Sequence, residues 1–153
     1  MKDIIAVGLI EDQYLFREGM KAILNNWSDI EVIFEAADGF SVLDKLENSG
    51  TIPDVMLVDL SLPSTEDKKE FSGQKVTQCL LEKYPSIKIL ILSAHDDDNF
   101  INQLIQSGAH GYLVKDCDPQ EVHEAILNVF HKGSYINEMT LKAIQNNMRK
   151  GGR

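Results

Sequence analysis

The sequence has few cysteines, no long apolar run and no excess of positive charge, and each shortage argues against a class of protein. Cys79 and Cys117 are the two cysteines, and because their spacing suggests no disulfide, we expect reduced thiols in a cytoplasmic protein. No apolar run reaches the roughly 20 residues that a membrane-spanning helix needs, so we expect no membrane partner. The formal net charge is -9 and the pI is about 4.8, which disfavours binding to a phosphate backbone. We therefore expect these residues not to bind DNA by themselves.

The composition and the apolar pattern are those of an α/β domain. The chain has 153 residues, of which 43% are hydrophobic and 25% charged, enough to bury a substantial core. Five strand patterns alternate strictly with helical patterns, which predicts a parallel sheet with right-handed crossovers. Predicted strands cover residues 4–10, 30–36, 55–59, 87–92 and 111–114. Predicted helices lie at about 14–25, 42–50, 73–84, 96–108 and 118–130, with a weaker helical stretch through 148.

One predicted helix has a well-defined start. Asp118, Pro119 and Glu121 have the spacing of an N-cap, a proline at the first helical position and a capping-box glutamate. We therefore expect the fifth helix to begin directly after Asp118.

Four predicted strands end on chemically useful side chains: Glu11 with Asp12, Asp59, Ser93 and Lys115. Because the carboxyl ends of parallel strands meet at one edge of a sheet, these side chains should converge there. Carboxylates about 4 Å apart repel by roughly 4 kcal/mol, so three of them need a cation, and oxygen ligands suit Mg²⁺. A lysine ammonium and a serine hydroxyl suit the oxygens of a phosphoryl group. The remaining group, Asp59, is the candidate nucleophile for an acyl phosphate.

The segments that carry these residues resemble the receiver domain of two-component response regulators, over residues 1–131. The resemblance implies a flavodoxin-like (CheY-like) fold with strand order 2-1-3-4-5, five flanking helices and a C-terminal linker helix. The matching motifs are Ile10-Glu11-Asp12, Pro53-Asp54-Val55-Met56-Leu57-Val58-Asp59-Leu60-Ser61-Leu62-Pro63, Ile91-Leu92-Ser93-Ala94 and Gly108-Ala109-His110-Gly111-Tyr112-Leu113-Val114-Lys115.

The same resemblance implies a role for each site residue. Asp59 would accept a phosphoryl group from a sensor histidine kinase or a histidine phosphotransfer protein, with Ser93 and Lys115 assisting. Ser93 and Tyr112 would form the switch pair, which reshapes the face formed by the fourth helix, the fifth strand and the fifth helix. No external substrate would be turned over. The implied Mg²⁺ ligands are Glu11, Asp12, Asp59 and the backbone carbonyl of Ser61.

Beyond the receiver, Gly133-Ser134-Tyr135-Ile136 and the helix after it are similar to regulators of the NarL/FixJ subgroup. Those proteins continue into a LuxR-type helix-turn-helix. We therefore expect residues 132–153 to be an extension or linker, which leads to a DNA-binding domain absent from this chain unless the protein has a single domain, and we expect control of transcription as the output. The resemblance also implies a homodimer on phosphorylation.

Three other readings of the residues stay open. A Mg²⁺-dependent phosphohydrolase of the haloacid dehalogenase type also uses a strand-end aspartate, but it needs an acid two residues later, where this chain has Ser61. A flavodoxin-like FMN carrier needs a phosphate loop where Glu11 and Asp12 stand. The third is a receiver-like interaction module that is not phosphorylated. The charged loop at 63–73 is either a tolerated insertion or a functional feature, namely a partner-specific lip or a partial cover over Asp59.

Overall fold

The computed structural model of the chain describes residues 4–39, 41–59, 73–94 and 98–150. Within them, a five-stranded parallel sheet has the order β2-β1-β3-β4-β5, which confirms the predicted topology. The strands are β1 Ile5–Ile10, β2 Ile30–Ala36, β3 Val55–Asp59, β4 Lys88–Ser93 and β5 Gly111–Val114.

The described ranges contain the five predicted flanking helices and the C-terminal one. They are α1 Tyr14–Asn25, α2 Val42–Ser49, α3 Gly73–Lys83, α4 Asp98–Gln106, α5 Pro119–Lys132 and α6 Glu138–Arg149. Several boundaries differ from the prediction by one or two residues, and two of these differences have a clear local cause. Helix α3 ends before Tyr84, because Pro85 disfavours a helical conformation in the residue that precedes it. Strand β4 begins after Ile87, whose N–H donates to the Tyr84 carbonyl in a turn at 3.0 Å.

Side chains alternate between the two faces of the sheet and build one apolar cluster on each face. The first cluster lies under α1 and α5 and includes Leu57 and Leu113, which are fully buried. The second lies under α2, α3 and α4 and includes Val58 and Tyr112, also fully buried. Strand β3 is buried along its whole length because both of its faces are covered. This central strand therefore presents its last residue, Asp59, from a rigid base.

Helix α5 begins as predicted, with the Asp118 side chain accepting a hydrogen bond from the Gln120 N–H at 2.8 Å. Glu121, at the capping-box position, faces the segment before α6 instead. Its Oε2 accepts hydrogen bonds from the Tyr135 hydroxyl at 2.8 Å and from the Asn137 amide at 3.0 Å. The carboxylate therefore fixes the start of the C-terminal extension to α5.

Helix α6 packs against α4 and completes the second cluster. Its Thr140 and Ala143 are fully buried, and the Asn146 amide donates to Oδ2 of Asp98 at 2.6 Å. In the segment before this helix, Tyr135 forms a parallel bridge with Gly111. In the described ranges, no helix has the length and apolar character needed to cross a membrane.

Candidate functional site

The predicted site residues meet at the carboxyl edge of the sheet. Asp59 is the last residue of β3 and Ser93 the last residue of β4. Glu11 and Asp12 follow β1 directly, and Lys115 follows β5. The order β1-β3-β4-β5 brings all four strand ends together, although the residues are far apart in sequence.

Three carboxylates form a cluster at this edge. One oxygen from each of Glu11, Asp12 and Asp59 lies within 4.8 Å of the other two. Glu11 and Asp59 are buried, whereas Asp12 is half-buried. A group of carboxylate oxygens with one accessible side fits a hard divalent cation such as Mg²⁺, which keeps several of its waters. The predicted fourth ligand, the carbonyl of Ser61, lies outside the described residues.

Lys115 provides a fixed positive charge to the cluster. Its Nζ lies 2.9 Å from Oε1 of Glu11 and 3.2 Å from Oδ1 of Asp59. The same ammonium lies 4.7 Å from the centroid of the Phe16 ring on α1. Since the cluster contains three carboxylates and one ammonium group, it keeps a net negative charge when all four groups are ionised. This residual charge favours binding of a further cation.

The pKa values follow from this burial and charge. Burial raises the pKa of Glu11 to about 7, and Asp59 adds to the increase, whereas hydrogen bonds from the Gln13 N–H and from Lys115 oppose it. For Lys115, burial lowers the pKa, but the hydrogen bonds and charges of Glu11 and Asp59 outweigh it and the net pKa is raised. Lys115 therefore stays an ammonium, and the binding of a cation competes with a proton on Glu11.

The two predicted switch residues lie on neighbouring strands. Ser93 is fully buried and pairs with Val114, whereas Tyr112 pairs with Ile91 two residues earlier in both strands. The Tyr112 side chain is fully buried in the second cluster, which α6 also contributes to. The proposed role of the pair as a switch stays a prediction.

Three residues with direct contacts to the site were not predicted as site residues. The Gln13 N–H donates to Oε2 of Glu11 at 2.9 Å, and Arg17 Nη1 donates to the Glu11 carbonyl at 2.7 Å. Phe16 lies beside the Lys115 ammonium. All three come from the start of α1, and their residue types carry no signal of such a role. The contacts depend on how α1 is oriented against the sheet edge, which apolar spacing does not determine.

The strand order and the acids and lysine at the carboxyl edge of the sheet agree with the receiver class of signalling proteins that the sequence resembles. Residues 7–127 match the family described as the response regulator receiver domain, and the chain belongs to this family.

Two curated relatives narrow the subgroup. The transcriptional regulatory protein DegU of Brevibacillus brevis is 35% identical over 133 residues, which are 87% of this chain and 53% of DegU. The oxygen regulatory protein NreC of Staphylococcus carnosus is 33% identical over 146 residues, 95% of this chain and 62% of NreC. The chain therefore spans between about half and three fifths of the length of these relatives.

Solved structures agree with the subgroup and the fold. The signal receiver domain of the response regulator NarL from Mycobacterium tuberculosis has a TM-score of 0.74 at 29% identity, covering 85% of this chain and 98% of that one. A LuxR-family response regulator from Aurantimonas sp. SI85-9A1 has a TM-score of 0.81 at 24% identity, and the match covers 95% of this chain and 99% of that one. At this identity the similarity supports the fold alone. The chain is a receiver domain of the NarL/FixJ type. This assignment does not favour the phosphohydrolase, FMN-carrier or interaction-module readings.

Proposed function

We propose that Asp59 accepts a phosphoryl group from the phosphohistidine of a sensor histidine kinase or a histidine phosphotransfer protein. The observation that carries the proposal is the cluster of Glu11, Asp12 and Asp59, whose oxygens lie within 4.8 Å of one another at the end of the central strand. Mg²⁺ is the cation that this set of hard oxygen ligands suits best. The resulting acyl phosphate is the signal.

The transfer is a displacement at phosphorus. A carboxylate oxygen of Asp59 attacks the phosphorus atom, a new O–P bond forms, and the P–N bond to the donor imidazole breaks. The imidazole leaves with the electron pair of that bond and takes up a proton. When bound, Mg²⁺ neutralises phosphoryl oxygens and so lowers their repulsion of the attacking carboxylate.

The chain's own residues orient this reaction. The Lys115 ammonium already lies 3.2 Å from Oδ1 of Asp59, so it is placed to contact a phosphoryl oxygen on that carboxylate. The Ser93 hydroxyl, at the end of the adjacent strand, would donate to a second oxygen.

The output proposed for the whole protein is control of transcription. DegU is a transcriptional regulatory protein by name, and the matched residues cover 53% of it. We propose that residues 1–131 are the receiver and that 132–153 form a linker to a helix-turn-helix domain. Direct packing of α6 against α4 supports a linker that senses the receiver's state. Homodimer formation on phosphorylation stays part of the proposal.

The proposal is tested by treating the protein with acetyl phosphate in Mg²⁺ or in excess EDTA and measuring intact mass. We expect one phosphoryl group in Mg²⁺, removable by hydroxylamine as an acyl phosphate is, and none in EDTA. A hydroxylamine-stable adduct, or equal labelling in EDTA, would contradict the proposal. Steady turnover of p-nitrophenyl phosphate would support the phosphohydrolase instead.

A further inference from the structure

The carboxylate of Asp12 is held differently from its two neighbours in the cluster. Glu11 and Asp59 both contact the Lys115 ammonium, at 2.9 and 3.2 Å. The Asp12 side chain, by contrast, makes no hydrogen bond or ion pair with any residue in the described ranges. Among the described residues, the backbone of the short turn between β1 and α1, residues 11–13, is what sets the direction of this carboxylate.

Arg17 fixes that turn from outside the cluster. Its Nη1 donates to the Glu11 carbonyl oxygen at 2.7 Å, and its Nε donates to Oε1 of Glu35 on β2 at 3.1 Å. The Arg17 side chain is 13% exposed, and its bond to the Glu11 carbonyl is partly buried, whereas its bond to Glu35 is exposed. The carbonyl of Glu11 and the N–H of Asp12 belong to one planar peptide group, and holding one end holds the other. One guanidinium thus connects α1, β2 and the backbone that carries Asp12.

From this geometry we infer that Arg17 is a positioning residue for the cation site. It orients the Glu11–Asp12 peptide so that the Asp12 carboxylate faces those of Glu11 and Asp59. The inference rests on the proposed function, because the cation it concerns is the Mg²⁺ that phosphoryl transfer would use. Groups that orient metal ligands typically affect metal affinity by 10–100-fold.

If Arg17 acted on the site through its charge alone, its removal would change the Mg²⁺ affinity in the opposite direction. A positive charge near a cation site repels the cation, so removing that charge should tighten Mg²⁺ binding. Replacement by lysine keeps the charge but loses the planar pair of donors that bridges Glu11 and Glu35. Arg17→Met and Arg17→Lys together therefore separate orientation from charge.

Lys21 offers a matched control on the same helix. Its Nζ lies 2.8 Å from Oε2 of Glu35, so it shares the carboxylate that Arg17 uses, and it also contacts Glu18 at 2.8 Å. In the described ranges it has no bond to the 11–13 turn. Lys21→Met therefore removes a positively charged side chain of α1 and its ion pair with Glu35, but leaves the bond to the Glu11 carbonyl in place.

The experiment is a calorimetric Mg²⁺ titration of the full chain without phosphodonor, with circular dichroism to compare folding. We expect about tenfold or greater weakening in Arg17→Met, weakening also in Arg17→Lys, and affinity within about twofold of the parent in Lys21→Met. Parent-like affinity in Arg17→Lys, or tighter binding in Arg17→Met, would overturn the inference while leaving the proposed function intact. A parent that binds no Mg²⁺ would overturn both.

Discussion

The ammonium of Lys115 lies over the ring of Phe16, 4.7 Å from its centroid, while also contacting Glu11 and Asp59. A cation held against an aromatic face gains about 0.5–2 kcal/mol, depending on how far it is desolvated. Phe16 therefore restricts a flexible side chain to the position from which it reaches Asp59. The contact links helix α1 to the proposed phosphoacceptor.

Phe16→Leu should slow phosphorylation by acetyl phosphate by a few-fold, because leucine keeps most of the apolar contact but has no aromatic face for the ammonium. The initial rate of labelling measures this. Phe130→Leu, a partly buried phenylalanine on α5, is the control and should label like the parent. In a Lys115→Met background, Phe16→Leu should have no further effect; an additive loss would mean that Phe16 acts independently of Lys115.

Lys115→Met should destabilise the metal-free protein at neutral pH by about 3–5 kcal/mol, since it removes the ammonium that two buried carboxylates share. Saturating Mg²⁺ should recover more stability in this variant than in the parent, because the bound cation then provides the missing positive charge. Urea unfolding with and without Mg²⁺ gives both values.

The control for that comparison is Lys83→Met, which breaks an exposed pair with Glu47 at 3.7 Å. Its effect should stay below about 1 kcal/mol and should not depend on Mg²⁺. If Lys115→Met behaved like Lys83→Met, the charge balance described for the cluster would be wrong.

His110 should make the protein less stable in mild acid. Its Nδ1 accepts a hydrogen bond from the Ile89 N–H at 2.9 Å, which requires that nitrogen to be unprotonated. Burial, with the charge of Lys88, lowers the pKa of His110 below its ordinary value of 6.5. The unfolded chain therefore takes up a proton at higher pH than the folded one, and stability falls as the pH drops below 6.5 toward the folded pKa.

His110→Asn tests this dependence, since the asparagine oxygen can accept the Ile89 bond without titrating. Urea unfolding between about pH 5 and about pH 8 should show that the free energy of unfolding falls less in acid for the variant than for the parent. His131→Asn, which removes an exposed imidazole at the end of α5 without touching the Ile89 bond, is the control against which His110→Asn is compared. An unchanged slope in His110→Asn would contradict the assignment.

Helix α6 should contribute to stability through Ala143, which is fully buried in the cluster that contains Tyr112. Ala143→Leu adds three carbon atoms at a fully buried position and should cost about 1–3 kcal/mol. Lys142→Leu, at a side chain 69% exposed, makes a similar replacement on the outer surface and should change stability by less than about 0.5 kcal/mol. Equal, small effects of the two substitutions would mean that α6 is not packed in solution.

The sequence was sufficient to predict the sheet order, the strand ends and the meeting of Glu11, Asp12, Asp59 and Lys115. The strand ends and the meeting of these side chains follow from local apolar runs and from the rule that parallel strands share one carboxyl edge, whereas the sheet order was implied by the resemblance to receiver domains. The position of α6 did not follow, because its apolar pattern is weak and its main partner, α4, is distant in the chain. The contacts of Arg17 could not be predicted either. They join α1, β2 and the turn at 11–13, and the relative orientation of these elements depends on tertiary packing.

The most direct test of the account is the site of phosphorylation. Intact mass is measured after treatment with acetyl phosphate and Mg²⁺ for the parent, for Asp59→Asn and for Asp54→Asn. Asp54 is the matched control, because it lies just before β3 and its Oδ2 accepts a hydrogen bond from the Ala6 N–H at 2.8 Å, away from the cluster. We expect one phosphoryl group on the parent and on Asp54→Asn, and none on Asp59→Asn. Labelling of Asp59→Asn to the parent's extent would contradict the assignment of Asp59 as the phosphoacceptor.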